Sequence, residues 1–128
     1  MIGAILGDIV GSPYEFDRSK KVKDFGPLFI KASEFTDDSV MTVAVAEALM
    51  NVSRDADDAT IKHEVAVSMK KWGRKYPYAG YGGKFIHWLK IDDESPYGSW
   101  GNGSAMRVSA AGWLYDSIER TRHVARLT

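Results

Sequence analysis

Between positions 39 and 52 nearly every side chain is apolar or small, and Glu47 is the only charge. A helix that is apolar all round belongs inside a domain, and Ala44, Ala46, Ala48, Leu49 and Met50 favour the helical state, so this stretch predicts a central buried helix. Between positions 59 and 76 the pattern changes. Ile61, Val65, Met69, Trp72 and Tyr76 fall three or four residues apart, with Lys62, His63, Glu64, Lys70 and Lys71 between them, which predicts an amphipathic helix. At the start of the chain Ile2, Ile5, Leu6, Ile9 and Val10 surround Gly3, Gly7 and Gly11, whose four-residue spacing leaves one helix face bare. A helical glycine costs about 1 kcal/mol relative to alanine, so this face predicts either tight packing or the close approach of a ligand. Ser12-Pro13 ends or kinks that helix and sets Glu15 just beyond it, while Asp8, inside the apolar run, needs a partner. Further helices are predicted over 84–90, with Phe85, Trp88 and Leu89 inward, over 105–116, and over 117–128, where Arg120, Arg122, His123 and Arg126 make a basic helix without a stop signal.

The joints between these helices carry the candidate chemistry. Thr36, Asp37 and Asp38 stand at the head of the central helix, where the macrodipole is positive and four N–H groups lack partners. Capping is the commoner role for such residues. Two adjacent carboxylates also repel each other, and a hard divalent cation with oxygen ligands, Mg²⁺ or Ca²⁺, would relieve that repulsion. The pair Asp57 and Asp58 precedes a half-polar helix and reads as a cap, and His63 as a surface or boundary histidine. Positions 97–107, Tyr-Gly-Ser-Trp-Gly-Asn-Gly-Ser-Ala-Met-Arg, open a helix through three glycines and two serines. The free N–H groups there suit a phosphate or diphosphate. The alternative is a tight turn at Gly101 and Gly103 capped by Asn102 or Ser104. Arg107 is placed to pair with an oxyanion or with a carboxylate of the central helix. The glycine and tyrosine loop 77–83 either holds a flat ligand between rings or completes the core. Positions 17–31, with Arg18, Lys20, Lys21 and Lys23, read as a solvated loop or as a lid over the acidic residues. His87 has no assignment.

Length and composition narrow the classes. A chain of 128 residues that is 45% hydrophobic fits one domain with a real core. Seventeen basic residues balance seventeen acidic ones, which argues against a general nucleic-acid binder. The absence of cysteine excludes disulfides and thiolate nucleophiles and fits a cytoplasmic setting. No apolar run approaches the roughly 20 residues of a membrane span, and the first residues do not read as a signal peptide.

Three segments taken together resemble the ADP-ribosylglycohydrolases of the dinitrogenase-reductase-activating type: Gly3-Ala4-Ile5-Leu6-Gly7-Asp8-Ile9-Val10-Gly11-Ser12-Pro13-Tyr14-Glu15, then Phe35-Thr36-Asp37-Asp38-Ser39, then Gly101-Asn102-Gly103-Ser104-Ala105-Met106-Arg107. The resemblance implies an all-α orthogonal helical bundle that removes ADP-ribose from an ADP-ribosylated protein or a related acceptor, using Mg²⁺ or, in some members, Mn²⁺. It implies that Thr36, Asp37, Asp38 and Glu15 hold metal, with Glu15, Asp37 and Asp38 at the scissile bond. It implies equally that Gly101, Asn102, Gly103, Ser104, Met106 and Arg107 cradle ADP-ribose. Family members are longer and carry a second acidic metal motif in their other half, with no counterpart after Met106. The resemblance therefore covers an N-terminal part of the family fold, read here as one domain over 1–128. An incomplete bundle predicts self-association or a completing partner chain. The alternative is a non-catalytic module that binds ADP-ribose or associates with itself.

Overall fold

The computed structural model describes residues 1–16 and 26–128. Arg18, Lys20, Lys21 and Lys23, the basic part of the loop read as solvated or as a lid, lie outside the described residues. The described chain is helical and contains no strand: α1 (Ile2–Gly11) with a 3₁₀ turn (Ser12–Tyr14), α2 (Asp37–Asn51), α3 (Asp58–Lys75), α4 (Gly83–Lys90), α5 (Gly103–Met106), α6 (Ser109–Leu114) and α7 (Ile118–Ala125). This is the expected all-α class. Among the described residues no helix is long and apolar enough to cross a membrane.

The core forms around α2, whose Met41, Ala44 and Val45 are wholly buried. Helix α3 packs along it through Ile61, Val65 and Ala66, all buried. Glu47, the one charge of α2, lies where α3 passes. Its carboxylate accepts from Lys71 Nζ at 2.6 Å, from Trp72 Nε1 and from Ser68 Oγ at 3.3 Å. The same Ser68 hydroxyl donates to the Ala44 carbonyl at 2.7 Å. These donors, Lys71 first, hold the Glu47 carboxyl below its usual range. Helix α4 comes so close to α3 that a Cβ on Gly73 would stand 2.6 Å from Leu89 Cδ2, and a larger residue there would force the Leu89 side chain to shift.

Lys70, expected on the polar face of α3, is buried. Its ammonium donates to the carbonyls of Ile91 at 2.5 Å and Asp93 at 3.0 Å and lies 4.6 Å from the Trp88 ring centroid. The long stem crosses the core margin and the charge ends on the turn after α4, which replaces water as its partner. The helix expected over 105–116 is two helices, broken at Arg107 and Val108. The Thr42 hydroxyl, on α2, donates to the Met106 carbonyl at 3.2 Å, at the residue where α5 ends. Helix α7 begins at the Ser117 cap and buries Val124 completely. Arg120 Nη2 ties it to the carbonyls of Arg54 at 3.0 Å and Ala56 at 2.8 Å.

Helix α1 buries no residue fully, and Ile2 is 77% exposed. Among the described residues nothing lies within 4 Å of the Cβ positions of Gly3, Gly7 or Gly11, so the bare face is not used for internal packing.

Candidate functional site

The site begins with Asp8, the carboxylate that needed a partner. Asp8 Oδ2 accepts from the backbone N–H of Thr36 at 2.8 Å and of Ser39 at 3.1 Å, and Oδ1 accepts from Thr36 Oγ1 at 2.6 Å. Thr36 Oγ1 in turn accepts from Asp38 N at 3.4 Å, as the N-cap of α2. The donors at the head of α2 are thus met by Asp8, on a different helix, and by Thr36. Capping does not require the carboxylates of Asp37 and Asp38, which instead line a cleft of about 360 Å³.

Glu15, just past the 3₁₀ turn, lines the same cleft. So do Gly101, Asn102, Gly103, Met106 and Arg107, which the sequence holds more than sixty positions away from the aspartates. Ser104 and Thr36 do not line it. Ser104 borders a separate cavity of about 540 Å³. Thr36 is turned to Asp8 behind the acidic wall and borders a groove of about 460 Å³ that runs past Phe35, Tyr76 and Tyr78.

The acidic wall is electrostatically crowded. Asp37 is pushed up from 3.8 to about 6, first by partial burial, then by the charges of Asp38 and Glu15. Burial, then Asp38 and Asp8, raises Glu15, and burial followed by Asp8 raises Asp38. None of these carboxylates has an ion pair with Lys, Arg or His among the described residues. Such a wall favours a cation or a proton.

The donors suit a hard divalent cation: the carboxylate oxygens of Glu15, Asp37 and Asp38 line one cleft and crowd one another. They supply part of a shell only. Among the described residues no group of three or more His, Asp or Glu side chains is placed to hold a metal ion together. Water or ligand oxygens would have to fill the remaining positions.

The opposite walls come from two loops. Gly80 adopts φ +97°, and a Cβ there would sit 3.7 Å from Asp37 Oδ1, so the 77–83 loop approaches the acidic wall through a residue without a side chain. Tyr81 is buried with no partner for its hydroxyl; burial and then the Asp37 charge push it up to about 12. In the other loop Ser99 Oγ accepts from Gly101 N at 3.2 Å, and Lys84 Nζ donates to the Gly98 carbonyl at 3.3 Å. The Lys84 ammonium also lies 5.7 Å from the centroid of the Trp100 ring, which is 98% exposed.

Arg107 corrects one expectation. It makes no pair with a carboxylate of α2. Its Nε and Nη2 donate to the Thr128 carbonyl at 3.0 and 2.6 Å, because the break between α5 and α6 turns the side chain toward the end of α7. Burial lowers its pKa without removing the charge at neutral pH. Lys84 was missed as a cleft residue in the sequence, and Gly80 was read only as part of a loop that either holds a flat ligand or completes the core; the Gly80-Tyr81-Gly82-Gly83 run was the available signal. His87 is exposed on α4 and lies outside the cleft.

A family model described as ADP-ribosylglycohydrolase matches residues 1–128. ADP-ribosylhydrolase ARH3 of Mus musculus is 29% identical over 157 aligned residues, covering 100% of this chain and 41% of that protein. The Homo sapiens ADP-ribosylhydrolase ARH3 is likewise 29% identical, with 42% of its length covered. ADP-ribosylarginine hydrolase Tri1 of Pseudomonas putida (strain GB-1) is 27% identical over 125 residues, covering 92% of this chain and 28% of that protein. The chain thus spans less than half the length of these curated relatives.

Proposed function

The chain belongs to the ADP-ribosylglycohydrolase family, and from that premise we propose that it takes part in the Mg²⁺-dependent hydrolysis of ADP-ribose from an ADP-ribosylated acceptor. The observation that carries this reading is the single cleft in which Glu15, Asp37 and Asp38 meet Gly101, Asn102, Gly103, Met106 and Arg107. Cleavage of an N- or O-glycosidic bond at the ribose passes through oxocarbenium-like positive charge, and the acidic wall stabilises that charge. The N–H groups of Asn102 and Gly103 and the Nη1 end of the Arg107 guanidinium, which its bonds to Thr128 leave over, bind the diphosphate and hold the ribose against the carboxylates. Asp37 and Asp38, with Thr36 behind them, would hold Mg²⁺ or Mn²⁺, which when bound supplies Lewis acidity and offsets their mutual repulsion. Glu15, free of any salt bridge among the described residues, takes a proton from the attacking water or orients a ribose hydroxyl through its carboxylate.

A second reading is a non-catalytic module that binds ADP-ribose or associates with itself or a completing chain. The exposed apolar and glycine face of α1 favours it. Release of ADP-ribose from an ADP-ribosylated protein separates the two. Mg²⁺-dependent turnover that Asp37→Ala abolishes supports the hydrolase. Binding of ADP-ribose without turnover, at any metal concentration, rejects the hydrolase for the chain as it stands.

A further inference from the structure

The core explains the ring of Tyr81 but not its hydroxyl. The ring centroid lies 5.4 Å from that of Phe85, which in turn meets the rings of Trp88 at 5.5 Å and Tyr97 at 6.2 Å. Phenylalanine would fill the same place. Tyr81 is 7% exposed, and its hydroxyl is enclosed without a hydrogen-bond partner among the described residues. An enclosed polar group that pairs with nothing destabilises a fold, so its retention calls for a partner that it meets when the protein works. The chain on either side points to that partner. Gly80, at φ +97°, has its Cβ position 3.7 Å from Asp37 Oδ1, and Gly82 and Gly83 line the cleft. Tyr81 itself does not line the cleft and packs behind it in the core cluster. Burial, and then the Asp37 charge, push the phenol up to about 12, so at neutral pH the hydroxyl keeps its proton and can donate it.

We propose that Tyr81 is a positioning residue for Asp37: when Asp37 holds a divalent cation through one carboxylate oxygen, the Tyr81 hydroxyl donates to the other from the core side. This inference rests on the reading of Asp37 as a metal-holding carboxylate. A carboxylate has two oxygens that accept, so a bond to a cation leaves one for a donor behind it. Such a donor fixes the orientation of the carboxylate and offsets part of the repulsion from Asp38 and Glu15. In the structure the two groups are not hydrogen-bonded, and rotation of the Asp37 side chain about its own torsions closes the pair.

The test is calorimetric titration of the full chain with Mg²⁺, for the wild type, Tyr81→Phe and Tyr115→Phe, with the unfolding temperature of each measured in chelator. Tyr81→Phe should weaken Mg²⁺ binding about tenfold or more. Its unfolding temperature in chelator should equal or exceed that of the wild type, because the ring stays and an unpaired oxygen goes. A hydroxyl with a merely structural role would do the reverse, lowering that temperature and leaving the metal affinity alone. Tyr115→Phe is the control: it removes another enclosed, unpaired phenol oxygen, on a residue that does not line the cleft, and should change Mg²⁺ affinity less than about twofold. The proposal is overturned by wild-type Mg²⁺ affinity in Tyr81→Phe, by a lower unfolding temperature of Tyr81→Phe in chelator, or by an equal loss of affinity in Tyr115→Phe. Absence of Mg²⁺ binding by the wild type at millimolar concentration rejects the metal reading of Asp37, and this inference with it. Failure of the inference alone, in which the wild type binds Mg²⁺ and Tyr81→Phe binds it equally well, is thus distinguishable from failure of the reading it rests on.

Discussion

Replacing Asp8 with alanine removes one carboxylate and strands three donors at the head of α2: the N–H groups of Thr36 and Ser39 and the Thr36 hydroxyl. Hydrogen bonds to a charged acceptor contribute about 1.5–3 kcal/mol each when their donors cannot reach water. Asp8 is only partly buried, and water can reach some of the freed donors. The net cost should therefore resemble the loss of a strong N-cap, about 2 kcal/mol. For a chain of this size that lowers the unfolding temperature by about 8 °C. Urea unfolding followed by circular dichroism, in chelator, reads it directly. Asp8→Asn keeps one acceptor oxygen and should restore about half of the loss. The reasoning is refuted if Asp8→Ala unfolds within about 0.5 kcal/mol of the wild type while losing metal affinity. Asp8 would then be a ligand rather than the cap that leaves Asp37 and Asp38 free.

Other outcomes follow from the same geometry. Because the folded pKa of Asp37 is raised from 3.8 to about 6, its protonated form is favoured in the fold, and stability contributed by this group is present below about pH 4 and lost as pH rises through 6. Full conversion at about 1.4 kcal/mol per pH unit caps the effect near 3 kcal/mol, and solvent screening of a half-exposed group reduces it to about 1 kcal/mol. Asp37→Asn should accordingly be more stable than wild type at pH 7.5 in chelator and lose the advantage at pH 4; a variant less stable at both pH values would contradict this. Glu47 behaves oppositely: its pKa is lowered, so its stabilisation is present at neutral pH and lost as pH falls through the acid range. Glu47→Gln should destabilise by about 1 kcal/mol at pH 7 and by little at pH 3, as denaturant midpoints at the two pH values will show. Gly73→Ala places a methyl into Leu89 and should cost about 1–3 kcal/mol by thermal unfolding, with no change expected in ligand affinity.

The helices over 39–52 and 59–76 were legible because each presents one unbroken pattern, apolar all round in one and one-sided in the other. The break after Met106 was not legible, since the hydroxyl that takes its carbonyl comes from Thr42, 64 positions earlier. Lys70 misled for a similar reason: its spacing is that of a polar face, and only the turn at Ile91 and Asp93 explains its burial. At the site, the sequence left capping and metal binding open for Thr36, Asp37 and Asp38. The structure divides the cluster, giving the capping contacts to Thr36 and Asp8 and the cleft to the two aspartates. The meeting of the aspartates with the 101–107 turn was expected from the resemblance of the three segments, whereas Gly80 and Lys84 required knowledge of how the 77–83 loop folds back.

Calorimetric titration of ADP-ribose into the chain, in saturating Mg²⁺ and again in chelator, tests the central claim most directly. Cooperation between the acidic wall and the glycine turn predicts affinity at least tenfold higher, about 1.4 kcal/mol, with the metal present, and loss of that difference in Asp37→Ala. Equal affinity in the two conditions, or a metal effect that survives Asp37→Ala, would contradict it.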